Sequence, residues 1–128
     1  MSDVAEQAMA TARAFIDAFN AQDHERHADT LNYPHVRLAK GAFQTIATRE
    51  DCVARSRGNE AALAAEGWHH TVVAAMEVVH EGPDKVHLAI TNHRCRADGT
   101  VYKPFDTLWV VTLQDGHWGV QFRSSYLR

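Results

Sequence analysis

Nine histidines stand among the 128 residues of this chain, and imidazole is the side chain that titrates near neutral pH and binds metals readily. His35, His70 and His93 fall in stretches that read as strands: His35 shares a strand face with Arg37, His70 opens a long strand beside Trp68, and His93 lies near the end of its own. Beside Asp106, a histidine can act as general acid or base while the carboxylate orients its ring. Asp106, His70 and His93 are therefore the catalytic candidates. For any one histidine the competing reading is a satisfied polar residue or a subunit contact. Arg37 and Arg123 suit an anionic ligand group, because guanidinium pairs well with carboxylate; a salt bridge to Asp106 or Asp29 accounts for them equally well. Tyr33, Trp68, Tyr102 and Phe43 suit the wall of an apolar pocket, although aromatics in a small domain are more often core. Tyr33, His35, Arg37, Trp68, Tyr102 and Arg123 are thus the ligand-binding candidates.

A metal is not expected. His24 and His27 are one helical turn apart, but no third ligand follows and the HExxH spacing is absent, so a surface pair is the better reading. His69 and His70 are neighbours on a strand and point to opposite faces. No organic cofactor is implied either. The net charge of −3 and pI near 6.3 argue against a nucleic-acid binder, which usually shows a basic face. Apolar residues make up 45% and charged residues 23%, the balance of an ordinary globular chain. The longest apolar stretches, residues 72–76 and 108–111, are far short of a membrane span, and the N-terminus lacks the features of a signal peptide. Cys52 and Cys95 read as reduced thiols of a cytoplasmic protein.

The elements that must position these side chains follow from periodicity. Val4, Ala8, Ala12, Phe15 and Phe19 make one apolar face of a helix from about 4 to 21, with Asp3 and Glu6 as a capping pair. Asp23 caps a second, short helix over 24–31. Residues 35–39 and 43–46 read as short strands about a Lys40-Gly41 turn. A third helix opens at Thr48 and ends near Gly67, with Gly58 as a point of weakness. From Trp68 onward four strands (68–80, 85–96, 101–113 and 118–127) are joined by short turns, which require antiparallel neighbours. One domain over 1–128 is expected, an α+β fold of three helices packed on a strongly curved mixed or antiparallel sheet.

This order resembles the nuclear transport factor 2-like superfamily, whose cystatin-like cones enclose a pocket between sheet and helices. The resemblance rests on the element order, on Phe15-Ile16-Asp17-Ala18-Phe19-Asn20-Ala21-Gln22-Asp23, and on Asp115-Gly116-His117-Trp118-Gly119-Val120. The last segment is similar to the closing turn and strand of SnoaL-like and association-domain members. Such a fold hosts isomerases, dehydratases, cyclases, epoxide hydrolases and non-catalytic assembly domains. Against the ketosteroid isomerases, the first-helix tyrosine position falls on Phe15 and the general-base position near Ala39, and only Asp106 has a counterpart. The paired carboxylates and arginine of the epoxide hydrolases find no clear match.

The resemblance implies a small-molecule-binding, SnoaL-like protein, with cofactor-independent acid–base chemistry on a modest, partly apolar ligand as its enzymatic form. The alternative is a non-catalytic assembly or ligand-sensing domain, which the missing base at Ala39 favours. A homodimer through the uncovered sheet face is expected, with neither nucleic acid nor membrane as partner. The facing of two residues stays open. Strict alternation puts Phe105, Thr107, Trp109 and Val111 toward the helices, opposite Trp118, Val120, Phe122 and Ser124, which leaves Asp106 and Arg123 outside. The isomerase resemblance points Asp106 inward. One bulge would reverse the local facing.

Overall fold

The structure is a computed structural model and describes residues 2–127. Its first helix, α1 (Asp3–Asn20), buries Ala5, Ala8, Ala12, Phe15, Ile16 and Ala18, the stripe that the apolar spacing requires. Ser2, rather than Asp3, is the N-cap, its hydroxyl accepting from the Ala5 amide at 3.1 Å. Helix α2 (His24–Asp29) is capped by Asp23. The third helical stretch is two helices, α3 (Arg49–Gly58) and α4 (Glu60–Glu66), separated at Asn59. The break follows Gly58, where a helix is least supported. Gly67 then ends α4 in the left-handed region, at φ 84°.

Six strands form one mixed, open sheet in the order β2-β1-β6-β5-β4-β3. They are β1 (Leu31–Ala39), β2 (Ala42–Ile46), β3 (His70–Glu81), β4 (Lys85–Cys95), β5 (Val101–Gln114) and β6 (His117–Ser125). The last four are the antiparallel meander, and β1 joins it parallel to β6. Asp115 and Gly116 both have positive φ, 52° and 79°, as a two-residue turn matched to strand twist demands. Helix α1 lies across the inner face, where the Phe15 ring meets Trp109 edge-on at 4.5 Å. Val86, Leu88, Ile90, Val111 and Val120 complete that core.

Two irregularities set the facing of the site. In β6 the register passes from Val110↔Phe122 to Val111↔Val120, so Gln121 is an extra residue, a bulge. Beyond it the strand has reversed: Arg123 pairs with inward Trp109, and Phe122 pairs with Val110. Strict alternation of Arg123 with Asp106 is thereby corrected. In β1 the register with β6 shifts between Leu31 and Val36, after which Arg37 is paired with Arg123. Gly119 allows this close approach. A Cβ there would fall 2.6 Å from the Asn32 nitrogen and the Leu31 carbonyl carbon, backbone atoms that cannot move aside cheaply. Gly119→Ala is expected to cost about 2–3 kcal/mol, read as a lower urea midpoint with unchanged slope; an unchanged midpoint would mean that β1 is not seated on β6 as described.

Candidate functional site

Between the inner sheet face and helices α1 to α4 lies a cavity of about 410 Å³, ample for a small organic molecule. Phe15, Phe19, Leu31, Ile46 and Leu63 supply its apolar wall. Arg37, Lys40, Arg55, Arg94 and Arg123 supply its charge, and no Asp or Glu is among its lining residues. A second chamber of about 50 Å³, bounded by Ile16, Asn92, Phe105, Trp109 and Leu127, shares Arg37, Arg94 and Arg123 with it. The arginines therefore stand where the two chambers meet.

Each arginine has a different status. Arg94 is neutralised by Glu66, with Nη1 donating to the carboxylate at 2.8 Å. Tyr102 donates to the same carboxylate at 2.5 Å. Burial opposes the ionisation of Glu66, but the bonds from Tyr102 and Arg94 outweigh it and hold its carboxyl below the usual range. Arg37 and Arg123, neighbours on paired strands, form no salt bridge among the described residues. The Arg37 Nε is buried without any hydrogen-bond partner. Burial, and then the Arg94 charge, lower the Arg37 pKa. Burial also pulls Arg123 down to about 9, with Arg37 and Arg94 adding to the effect. Both remain cations at neutral pH, in a field that disfavours further positive charge and favours an anion.

His35 fixes the pose of Arg123. It is fully buried, and its Nδ1 lies 2.9 Å from the Val120 carbonyl oxygen. A carbonyl only accepts, so Nδ1 carries the proton and Nε2 is the lone pair. Into that lone pair Arg123 donates its Nε–H at 3.1 Å, while its guanidinium carbon lies 5.0 Å from the Phe15 ring centroid. The outer edge of the fork makes no hydrogen bond among the described residues. His35 is pulled down to about 3 by burial first and by Arg123 next, against the opposing Val120 bond. His27 is pulled down equally far, by burial, Arg123 and His24. It packs at 4.4 Å from the Phe15 ring, its Nδ1 faces the Ser56 hydroxyl at 3.3 Å, and its Nε2 is buried without a partner.

Of the residues singled out in the sequence, the structure brings His35, Arg37 and Arg123 together. Tyr33 lies in a separate cleft on the outside of α2, its hydroxyl donating to the Ala28 carbonyl. Trp68 meets the Phe19 ring edge-on at 5.1 Å, and Tyr102 is engaged by Glu66 under the Arg96 guanidinium. Phe43 is exposed. Asp106 is exposed on the outer sheet face, where Thr91 donates to it at 2.8 Å. His93, between inward Asn92 and Arg94, alternates to that same outer face. His70 contacts His69, with 2.9 Å between their Nδ1 atoms. Neither chamber has Asp106, His70 or His93 in its wall. Asp106 is bound to neither Asp29's neighbour Arg49 nor to Arg37 or Arg123; Asp29 itself pairs with Arg49 at 2.6 Å. His27, expected at the surface, is a wall residue. Its signal was faint, because α2 is almost entirely polar and its spacing does not mark an inner face. No group of three His, Cys, Asp or Glu placed to hold a metal occurs among the described residues, and none of its helices is long and apolar enough to cross a membrane.

The family described as NTF2-like protein (DUF6841) matches residues 5–122. The chain belongs to that family. Solved structures agree with the NTF2-like fold. An NTF2-like protein with a cystatin-like fold from Novosphingobium aromaticivorans superposes with a TM-score of 0.75 at 18% identity, over 98% of this chain and 82% of that one. A ketosteroid isomerase-like protein from Erwinia carotovora atroseptica gives 0.73 at 16% identity, over 99% and 98%. A putative calcium/calmodulin-dependent protein kinase II association domain from Xanthomonas campestris gives 0.69 at 18%, over 99% and 89%. At such identities these NTF2-like neighbours share the fold alone. No curated protein matches the sequence.

Proposed function

We propose that this NTF2-like protein binds a small carboxylate with an apolar body, the acid on Arg37 and Arg123 and the body against Phe15 and Phe19. The observation that carries the reading is the composition of the cavity wall: five cationic side chains and no carboxylate, only Arg94 of the five being neutralised from behind among the described residues, by Glu66, in a chain whose net charge is −3. Arginine charge held at depth without a counter-ion is costly to the fold, and an anionic ligand supplies the missing partner through charge-assisted bonds.

Binding is favoured over acid–base catalysis by the histidines. An effective general base titrates near the working pH, whereas His27 and His35 are both held down to about 3. The ligand-sensing form of the fold is thus the preferred one, and an isomerase-type enzyme is the second reading. The two free, buried cysteines suit a reducing, cytoplasmic setting. The outer sheet face carries exposed Val72 and Val79 and, among the described residues, no helix, which supports a homodimer through it; light scattering should give twice the chain mass, and a monomer at micromolar concentration would remove that contact.

The carboxylate reading is tested by thermal melting with phenylacetate, cyclohexanecarboxylate and hexanoate beside their amides. The acids should raise the melting temperature in proportion to occupancy and the amides should not. Equal shifts from acid and amide, or none from either, would contradict it.

A further inference from the structure

Asn92 lies on β4 between Ile90 and Arg94, is 2% exposed, and faces the small inner chamber. Its Oδ1 is buried with no hydrogen-bond donor. No hydrogen bond reaches its side chain among the described residues, so turning the amide end for end would still leave a polar end unpaired. Arg37 borders the same chamber, and its Nε lacks an acceptor. Native interiors satisfy such groups. Here the residues that carry an unpaired acceptor and an unpaired donor both line one space of about 50 Å³. They do not satisfy each other. A molecule that offers an acceptor to one and a donor to the other would satisfy both.

We infer that the ligand is a hydroxy acid, its carboxylate on Arg37 and Arg123 where the chambers meet and its hydroxyl in the inner chamber, donating to Asn92. This deepens the carboxylate reading and rests on it. The inner space of about 50 Å³ admits a hydroxyl or one to two waters but not a ring, so the apolar body must lie in the 410 Å³ chamber. A 2-hydroxy acid fits best, because its hydroxyl is one carbon from the carboxylate and the two polar ends need only a short span. The rival occupant of the inner chamber is water, which can bridge the same two groups.

The pair that separates them is mandelate and phenylacetate, which differ only in the 2-hydroxyl, each titrated calorimetrically into the ligand-free protein. A buried polar group left unpaired discriminates strongly against the analogue that lacks the hydroxyl. Mandelate should therefore bind tighter by about tenfold or more, with a preference for one enantiomer. Asn92→Ala, which removes the amide without filling the chamber, should bring the two affinities together. Equal binding of both acids to the unaltered protein would overturn the hydroxyl contact and leave the carboxylate reading standing. A preference that survives Asn92→Ala would overturn the role of Asn92. Binding of neither acid would overturn both readings.

Discussion

Lowering the pH from 7 to 5 is expected to destabilise the ligand-free protein by about 4 kcal/mol, about 2 from each of two histidines. The physical origin is the burial of His27 and His35 beside Arg123, which holds both near 3 in the folded protein against about 6.5 in the unfolded chain. Between those values the unfolded state takes up protons that the folded state refuses, so stability falls as the pH falls through 6.5 and goes on falling toward 3. Few carboxylates titrate between pH 7 and 5, so the window belongs to histidine. Urea unfolding at pH 5, 6 and 7 reads the slope directly. His35→Gln should remove about half of it, at a cost in stability at pH 7 from the disturbed Val120 and Arg123 bonds. A stability that stays flat from pH 7 to 5 would mean that neither imidazole is buried as described.

Arg37→Met is expected to move stability and binding in opposite directions. The guanidinium makes no salt bridge or hydrogen bond among the described residues, and its Nε is buried and unpaired. Replacing a half-buried, uncompensated charge by an apolar chain of similar length should stabilise the fold by about 1 kcal/mol. The same change should weaken phenylacetate by at least about tenfold, the worth of one or two charge-assisted hydrogen bonds. Arg123→Met should lose binding as well but gain little stability, because it strands the His35 lone pair and removes the packing on Phe15. A core salt bridge behaves differently: its loss lowers stability. Arg37→Met that is destabilised, or that binds phenylacetate undiminished, would show that Arg37 serves the fold rather than a ligand.

The contrast between fold and site shows what a sequence can convey. The helix α1 stripe, the Asp23 cap, the Gly58 weakness and the Asp115-Gly116 turn are local, and each was legible because local spacing and backbone preference cause it. The inward set Thr107, Trp109 and Val111 followed from twofold alternation. Arg123 did not. Its facing depends on one extra residue at Gln121, and nothing in the types around Gln121 marks a bulge. The parallel pairing of β1 with β6 is equally hidden, since it joins segments about 85 residues apart, and it is what sets Arg37 beside Arg123. Asp106 attracted notice by family likeness, but its place on the outer face follows from plain alternation. His27 reads from sequence only as half of a surface pair and Asn92 carries no signal, because the interest of both lies in what they lack, a partner, and only three dimensions reveal that.

If an anion completes the arginine pair, a crystal of the protein grown with saturating phenylacetate will hold it there. The expected result is a carboxylate within hydrogen-bond distance of both Arg37 and Arg123, with the ring against Phe15 and Phe19. Phenylacetate bound elsewhere, or seated in the cavity with its carboxylate turned away from both arginines, would contradict it.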